Sequence, residues 1–365
     1  MPIHFNQQDW ARIKETNRLW RARKLGRPLM QWHQWGADPG RPAPDLPSLW
    51  KMSLYNTDYT VDQILERIDF DLSCHNYPGD SYPGFCPNLG PGIVGEFLGG
   101  RAEHTPETGT TWFYPGKFEG LHIKDIHLEF SLHSRWLERL LEFYRKGIER
   151  FEGNVQFAMT DMGGTMDVLA SIRPAEQLLT DFYDFPEEVE RLMWETHEMW
   201  FKYFDLLNAA LKGNPGYTAW SGEFATEPSY MLQCDFCYML GPEMFDRFVL
   251  PELRAACKRL PGGAFFHQDG LGQLCHTKSL HGIPELAGMQ WQPGTGDFPP
   301  SIRWHDQQRR IRDDGKLSQT WGTPEQLEEL ADKIGDVSNT VVIGWGGPDD
   351  TPRFRKAFKR FGLEG

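Results

Sequence analysis

From residue 154 onward the chain repeats one unit: a short apolar run, a turn carrying glycine or a polar residue, then an amphipathic segment. Apolar runs at 154–160, 216–220, 231–236, 263–267, 285–291, 316–321 and 340–345 read as strands. Helix starts fall between them. Pro174 opens one, and Pro186 with Glu187 and Glu188 opens another that runs to about Leu211. Pro242 starts a helix ending near Leu260, a further helix covers 303–314, and Thr323-Pro324-Glu325 caps one that ends near Ile334. A last helix begins near Thr351. Repeated strand–loop–helix units with apolar strands imply a parallel sheet packed by helices. Both an open doubly wound sheet and a closed barrel satisfy that pattern. The last strand ends on GWGGPDD, which is no G-x-G-x-x-G dinucleotide fingerprint, and this favours an α/β (β/α)8 TIM barrel.

The chain has 365 residues, within the range of one large barrel domain with insertions. Glycine- and proline-rich stretches at 36–48 and 76–92 also hold aromatic or charged residues, so they read as ordered loops rather than linkers. The expectation is one domain over 1–365, with residues 1–70 a helical and loop-rich N-terminal extension plus the first elements. A net charge of −13 disfavours nucleic acid and anionic lipid as partners. No run of roughly 18 apolar residues or signal-peptide segment occurs, so no membrane span is expected. Six scattered cysteines in a chain of this length imply free thiols and a cytoplasmic location.

In α/β sheets and barrels the site lies beyond the carboxyl ends of the strands. The predicted strands end on Asp161, on Trp220 with Glu223, on Asp235, on His267 with Asp269, on Trp291 with Gln292, on Trp321 and on Trp345. Loops around Trp32-His33-Trp35 and His75-Asn76-Tyr77 belong to earlier strands and are placed to cover the mouth as a lid. His267 and Asp269, two residues apart in an extended segment, point to one side. They form either a divalent-metal pair or a general acid/base pair; a structural reading has Asp269 cap the next helix. Asp161, His267, Asp269 and Glu223 are the candidate catalytic groups. Trp32, His33, Trp35, His75, Tyr77, Trp220, Trp291, Gln292 and Trp345 are the candidate substrate contacts. Asp161, Glu223, His267, Asp269, Trp220, Trp291 and Trp345 are expected to line one cavity. Cys234-x-x-Cys237 has no second C-x-x-C and reads as two buried thiols.

Several stretches resemble the uroporphyrinogen decarboxylase and cobalamin-linked methyltransferase superfamily, in its uncharacterised branch. They are NLGPG (88–92) with FLGG (97–100), the run TDMGGTMDVLASIRPAEQLLTDFYDFPEEVERL (160–192), LQCDFCYMLGPEMFDRFVLPEL (232–253), FFHQDG, and VVIGWGGPDDTP (341–352). The resemblance implies a (β/α)8 barrel. The decarboxylases carry an arginine-rich N-terminal segment for a polyanionic porphyrinogen. Here LMQWHQWGADPGRP (29–42) is tryptophan-rich instead, and Asp80 stands only near the position of their essential aspartate. The methyltransferases hold zinc through His-x-Cys and a distant cysteine. His267 matches the histidine, Asp269 replaces the first thiolate and Trp345 falls near the last, so the implied metal site is harder than theirs.

The resulting expectation is a methyl-transferring or demethylating enzyme acting on a small hydroxylated, ether or aromatic substrate. Zinc or another divalent metal at His267 and Asp269, and a corrinoid on a partner protein, are its implied cofactors; a homodimer is left open. Two alternatives stand beside it. One is a decarboxylase or other lyase on a small non-porphyrin substrate, and the other is a non-catalytic small-molecule binding barrel.

Overall fold

A computed structural model describes residues 3–363. Helix α1, Gln7–Arg21, is closed by a capping box between Asn6 and Asp9 and leads into strand β1, Leu29–Trp35. After helix α2, Val61–Ser73, come β2, Gly84–Phe85, helix α3, Arg135–Phe151, and β3, Gln156–Phe157. Helix α4, Pro186–Ala210, starts on proline and two acids as expected. Strand β4, Met231–Gln233, then precedes β5, Ala264–Asp269, β6, Leu286–Gln292, β7, Leu317–Trp321, and β8, Thr340–Gly346. Between β7 and β8 lies α5, Pro324–Ile334, capped by Thr323 as the sequence indicates, and α6, Thr351–Arg360, follows β8.

This is an α/β architecture with a central parallel sheet. The ladder runs β1–β8–β7–β6–β5–β4, all parallel, with the antiparallel pair His75–Asn76 added outside β1. Strands β2 and β3 form a separate parallel pair. Single backbone hydrogen bonds tie that pair to its surroundings, from Asp80 N to Met30 O (2.9 Å) and from Met159 N to Thr218 O (2.8 Å). The ladder is therefore not continuous around a ring. Prolines in NYPGDSYPGFCPNLGPG cannot donate to it, which keeps β2 to two residues. A hairpin at Arg101–Thr105 and Thr110–Tyr114, unforeseen in the sequence, follows that loop. The predicted helix from Pro242 contains a π-helical segment at Phe245–Val249, just before Pro251. Proline lacks the amide hydrogen of the regular ladder, which accounts for the slipped turn.

Parity along the strands decides what faces the interior. On β1 Met30 and Trp32 join Val342, Phe354 and Phe358 in the core beneath α5 and α6, and Trp32 stacks on Phe354 at 5.3 Å. Gln31 and His33 point the other way, beside Ile343 and Trp345 of β8. Among the described residues no helix is long and apolar enough to cross a membrane. All six cysteines are free, and Cys234 and Cys237 are buried as expected.

Asp80 has a structural task. It is fully buried, takes two hydrogen bonds from the Arg27 guanidinium (2.7 and 2.9 Å) and accepts the Met30 amide (2.9 Å). These contacts pin the entry to β1. Asp80→Ala strands a half-buried guanidinium and an amide. It is expected to cost about 3 kcal/mol or more, read as a lower urea midpoint at unchanged slope. A loss below about 1 kcal/mol would contradict this role.

Candidate functional site

Across the interior face of β5, β6 and β7 runs a chain of polar side chains. His267 Nδ1 contacts Gln290 Oε1, Gln290 Nε2 donates to Gln319 Oε1, and Gln319 Nε2 donates to the carbonyl oxygen of Ser221 (3.3 Å). Gln290 and Gln319 are fully buried, so each needs partners for its amide. The polarity of the chain follows from its last link. A carbonyl can only accept, so Gln319 must donate there with Nε2 and accept with Oε1. Gln290 then donates to Gln319 and offers Oε1 to His267. His267 must therefore carry its hydrogen on Nδ1, which leaves the Nε2 lone pair free.

That free nitrogen meets carboxylates. His267 Nε2 lies 3.9 Å from Asp269 Oδ2, and the candidate ligand atoms of Asp235, His267 and Asp269 all fall within 4.8 Å of one another. The pairing Gln233↔His267 brings the end of β4 beside β5, which is how Asp235 arrives. Donors about 2.0–2.2 Å from a common ion stand roughly 3–4 Å apart, so small side-chain rotations would close the three groups on a divalent metal. One imidazole nitrogen and two carboxylate oxygens, with open positions remaining, suit zinc or a harder ion.

A second acidic group backs this trio. Asp167 accepts the amides of Asp235 (3.1 Å) and Phe236 (2.9 Å), and so fixes the turn that carries Asp235. Burial, and then the charge of Asp235, push its carboxyl up to about 7. Asp161 accepts the Gly163 amide (3.0 Å), and burial, helped by the charges of Asp235 and Asp167, raises it to about 7. Asp235 is raised as well, first by desolvation on its protein side, with His267 opposing and Asp269 adding to the shift. Near neutral pH Asp161 and Asp167 are about half protonated, where isolated aspartates would be ionised.

Two cavities flank the trio. The inner one, about 350 Å³, is lined by Gln31, His33, Phe85, Trp220, Trp321 and Trp345, among others. Trp220 packs edge-on against the His267 ring at 5.1 Å and so separates this cavity from the trio. The outer cleft, about 370 Å³, is lined by Asp235, Tyr238, Asp269 and the glycines at 270 and 294.

The structure thus divides the predicted site. His33, Trp220 and Trp345 reach the inner cavity, and Asp269 reaches the outer cleft. Tyr77 sets its edge against His33 at 6.2 Å and donates to Leu72 O, while His75 is held by Asp71 O (2.7 Å). Trp35 is half exposed and pairs with His75 across the antiparallel strands, outside the cavity. Gln292 contacts Ser301 (3.4 Å) at the end of β6. Trp32 and Trp291 do not line the site. Their neighbours Gln31 and Gln290 take the interior positions, so strand alternation turns both indoles toward the helices. Glu223 does not join the trio either. It is buried near Arg21 and Tyr82, takes the Ser221 hydroxyl, and leaves Oε1 without a partner. The single cavity expected from the strand ends is therefore two.

Asp235, Asp167, Gln290, Gln319 and Gln31 were not among the residues assigned to the site from sequence. For the three glutamines the legible signal is a polar residue inside an otherwise apolar strand, at the parity shared with His267 or His33. Asp167 lies in the helix Thr165–Ile172 and carries no such signal, and Asp235 stands only as a strand end.

No family model matches the chain, and no curated protein matches it. Among solved structures, a methyltransferase from Methanosarcina mazei superposes with a TM-score of 0.59, over 96% of this chain and 99% of that one, at 11% identity. At that identity the likeness shows a shared fold.

Two outcomes follow from this geometry. ¹⁵N NMR of metal-free protein should show the neutral form of His267 carrying its hydrogen on Nδ1 rather than Nε2, and Gln319→Leu should yield a mixture of tautomers; an Nε2–H neutral form in the wild type would contradict the chain's polarity. Asp161 binds more protons when folded than when unfolded. Its contribution to stability therefore falls as pH rises from about 4, the unfolded value, through about 7. With chelator present, Asp161→Asn should remove on the order of 2 kcal/mol of the stability lost between pH 4 and pH 8. An unchanged pH slope would count against a buried, protonated Asp161.

Proposed function

We propose that the protein is a metal-assisted methyltransferase of the uroporphyrinogen decarboxylase and cobalamin-linked methyltransferase superfamily, on a (β/α)8 barrel. The reading rests chiefly on Asp235, His267 and Asp269 meeting between an apolar, aromatic-lined cavity and a more polar cleft. A transfer reaction needs two approaches to one centre, one for the methyl donor and one for the acceptor. The shared fold of the Methanosarcina mazei methyltransferase agrees with it.

Asp235, His267 and Asp269 hold the ion, His267 through Nε2. When bound, the ion would supply a Lewis acid beside the outer cleft; for it to polarise the heteroatom of a donor in the inner cavity, the Trp220 indole between them has to turn aside. The protein does the rest. The inner cavity binds the donor out of bulk water, with Trp220 as the wall toward His267. Gln290 and Gln319 hold the imidazole in orientation. Asp161 lines neither cavity, contrary to expectation; with its carboxyl raised to about 7 it would pass a proton through solvent to the departing heteroatom and recover it from solvent. A corrinoid on a partner protein would supply the methyl acceptor, and the outer cleft beside Asp235, Tyr238 and Asp269 is the face it would approach.

A lyase acting through Asp161 is the second reading, favoured by the same raised carboxyl. It ranks lower because no lysine or arginine lines the inner cavity to hold a carboxylate substrate.

The test is methyl transfer from small ethers and methylated phenols to added cob(I)alamin, followed as methylcobalamin. Activity should vanish on chelation, return with a divalent ion, and fall about 100-fold or more in Asp269→Asn. Asp161→Asn should lose turnover while substrate binding survives. Full activity in chelated Asp269→Asn protein would remove the metal.

A further inference from the structure

The inner cavity is uncharged throughout. Among its lining residues there is no aspartate, glutamate, lysine or arginine. Its three ionisable lining groups, His33, Tyr82 and Cys86, are held neutral, Tyr82 by burial that raises its phenol well above the ordinary value. Burial, with His75 adding to it, lowers the His33 imidazole to about 4, and burial raises the Cys86 thiol to about 12. A charged ligand entering here would lose its hydration and gain no counter-charge.

The apolar surface is mainly aromatic. Tyr82, Phe85, Trp220, Trp321 and Trp345 all line it, and Trp345 stacks on His33 at 6.2 Å near the mouth. Two hydrogen-bond donors in this wall are unpaired. Gln31 is 1% exposed, lines the cavity from β1, and its Nε2 has no partner; the buried Trp220 Nε1 is unpaired as well. A buried amide donor is costly to leave unmade, so these groups ask for an acceptor. A volume near 350 Å³ lies at the small end of ligand pockets and admits one substituted ring.

We propose that this cavity binds a neutral, planar aromatic molecule whose oxygen substituent accepts a hydrogen bond from Gln31, the rings of Trp220, Trp321 and Trp345 supplying the flat walls. The ligand class follows from the lining alone. Only the further step, that this oxygen carries the transferred methyl group, rests on the methyl-transfer reading; the substrate is then an aryl methyl ether.

Binding tests it without turnover. Metal-free protein is titrated by calorimetry with 2-methoxyphenol, with 3-methoxybenzoate as the charged analogue, and with methoxycyclohexane as the saturated one. The phenol should bind. The carboxylate should bind at least about 30-fold more weakly for want of a counter-charge, and the saturated ether about fivefold more weakly for want of stacking. Gln31→Leu should weaken the phenol about fivefold, the effect of one neutral hydrogen bond. Trp345→Ala, at an exposed rim position where folding is not at stake, should weaken it similarly. Equal or tighter binding of the carboxylate or the saturated ether overturns the proposal, as does unchanged affinity in both variants. Binding of the phenol with no methyl loss upholds the ligand class and overturns the methyl-transfer reading. Methyl loss from an aliphatic ether, with no arene bound, does the reverse.

Discussion

The carbonyl of Ser221 sets the direction of everything that follows it across the sheet. Because that oxygen can only accept, Gln319, Gln290 and His267 each have one allowed orientation. The result is an imidazole presenting a lone pair to two carboxylates, fixed before any ion or substrate arrives. Such a chain must lie in a dry interior, since water could replace any link and let an amide flip. Both glutamines are fully buried, as that requires. The price is an interior layer of polar groups in place of aliphatic packing.

Charge is distributed with the same economy. Carboxyls gather on one side of His267, where burial first, then the charge of Asp235 on Asp161 and Asp167 and of Asp269 on Asp235, raises their affinity for protons. On the other side, beyond Trp220, the cavity carries none. Divalent charge would relieve the repulsion on the acidic side, and a neutral ligand suits the other. A single indole divides two electrostatic environments that a transfer reaction must bring together.

Much of the architecture was legible in the chain. Strand–helix periodicity locates the parallel strands except at 216–220, where only an isolated antiparallel bridge Tyr217↔Ala225 forms; Thr323 caps its helix, and Pro186 opens the longest one. His267 and Asp269 do share a face, as two-residue spacing in a strand dictates. Tryptophans misled because a strand end names a neighbourhood and not a face. Trp291 and Trp32 lie one residue from the interior positions, and one residue is the whole difference between cavity and helix interface. Glu223 sits in an irregular loop whose path periodicity does not describe. Asp235 was legible only as the end of a predicted strand; what sets it beside His267 is the pairing of β4 with β5, a long-range register that no local pattern encodes. Glutamines inside strands carry little weight in a sequence, yet here they orient the one imidazole of the trio.

The central claim is that one nitrogen and two carboxylates form a metal centre without sulfur. X-ray absorption spectroscopy of protein loaded with one equivalent of zinc or cobalt tests it most directly. One imidazole scatterer with oxygen completing the shell, and loss of the imidazole signal in His267→Ala, is the predicted result. A sulfur shell, a shell of oxygen alone, or failure to retain one equivalent of metal would contradict it.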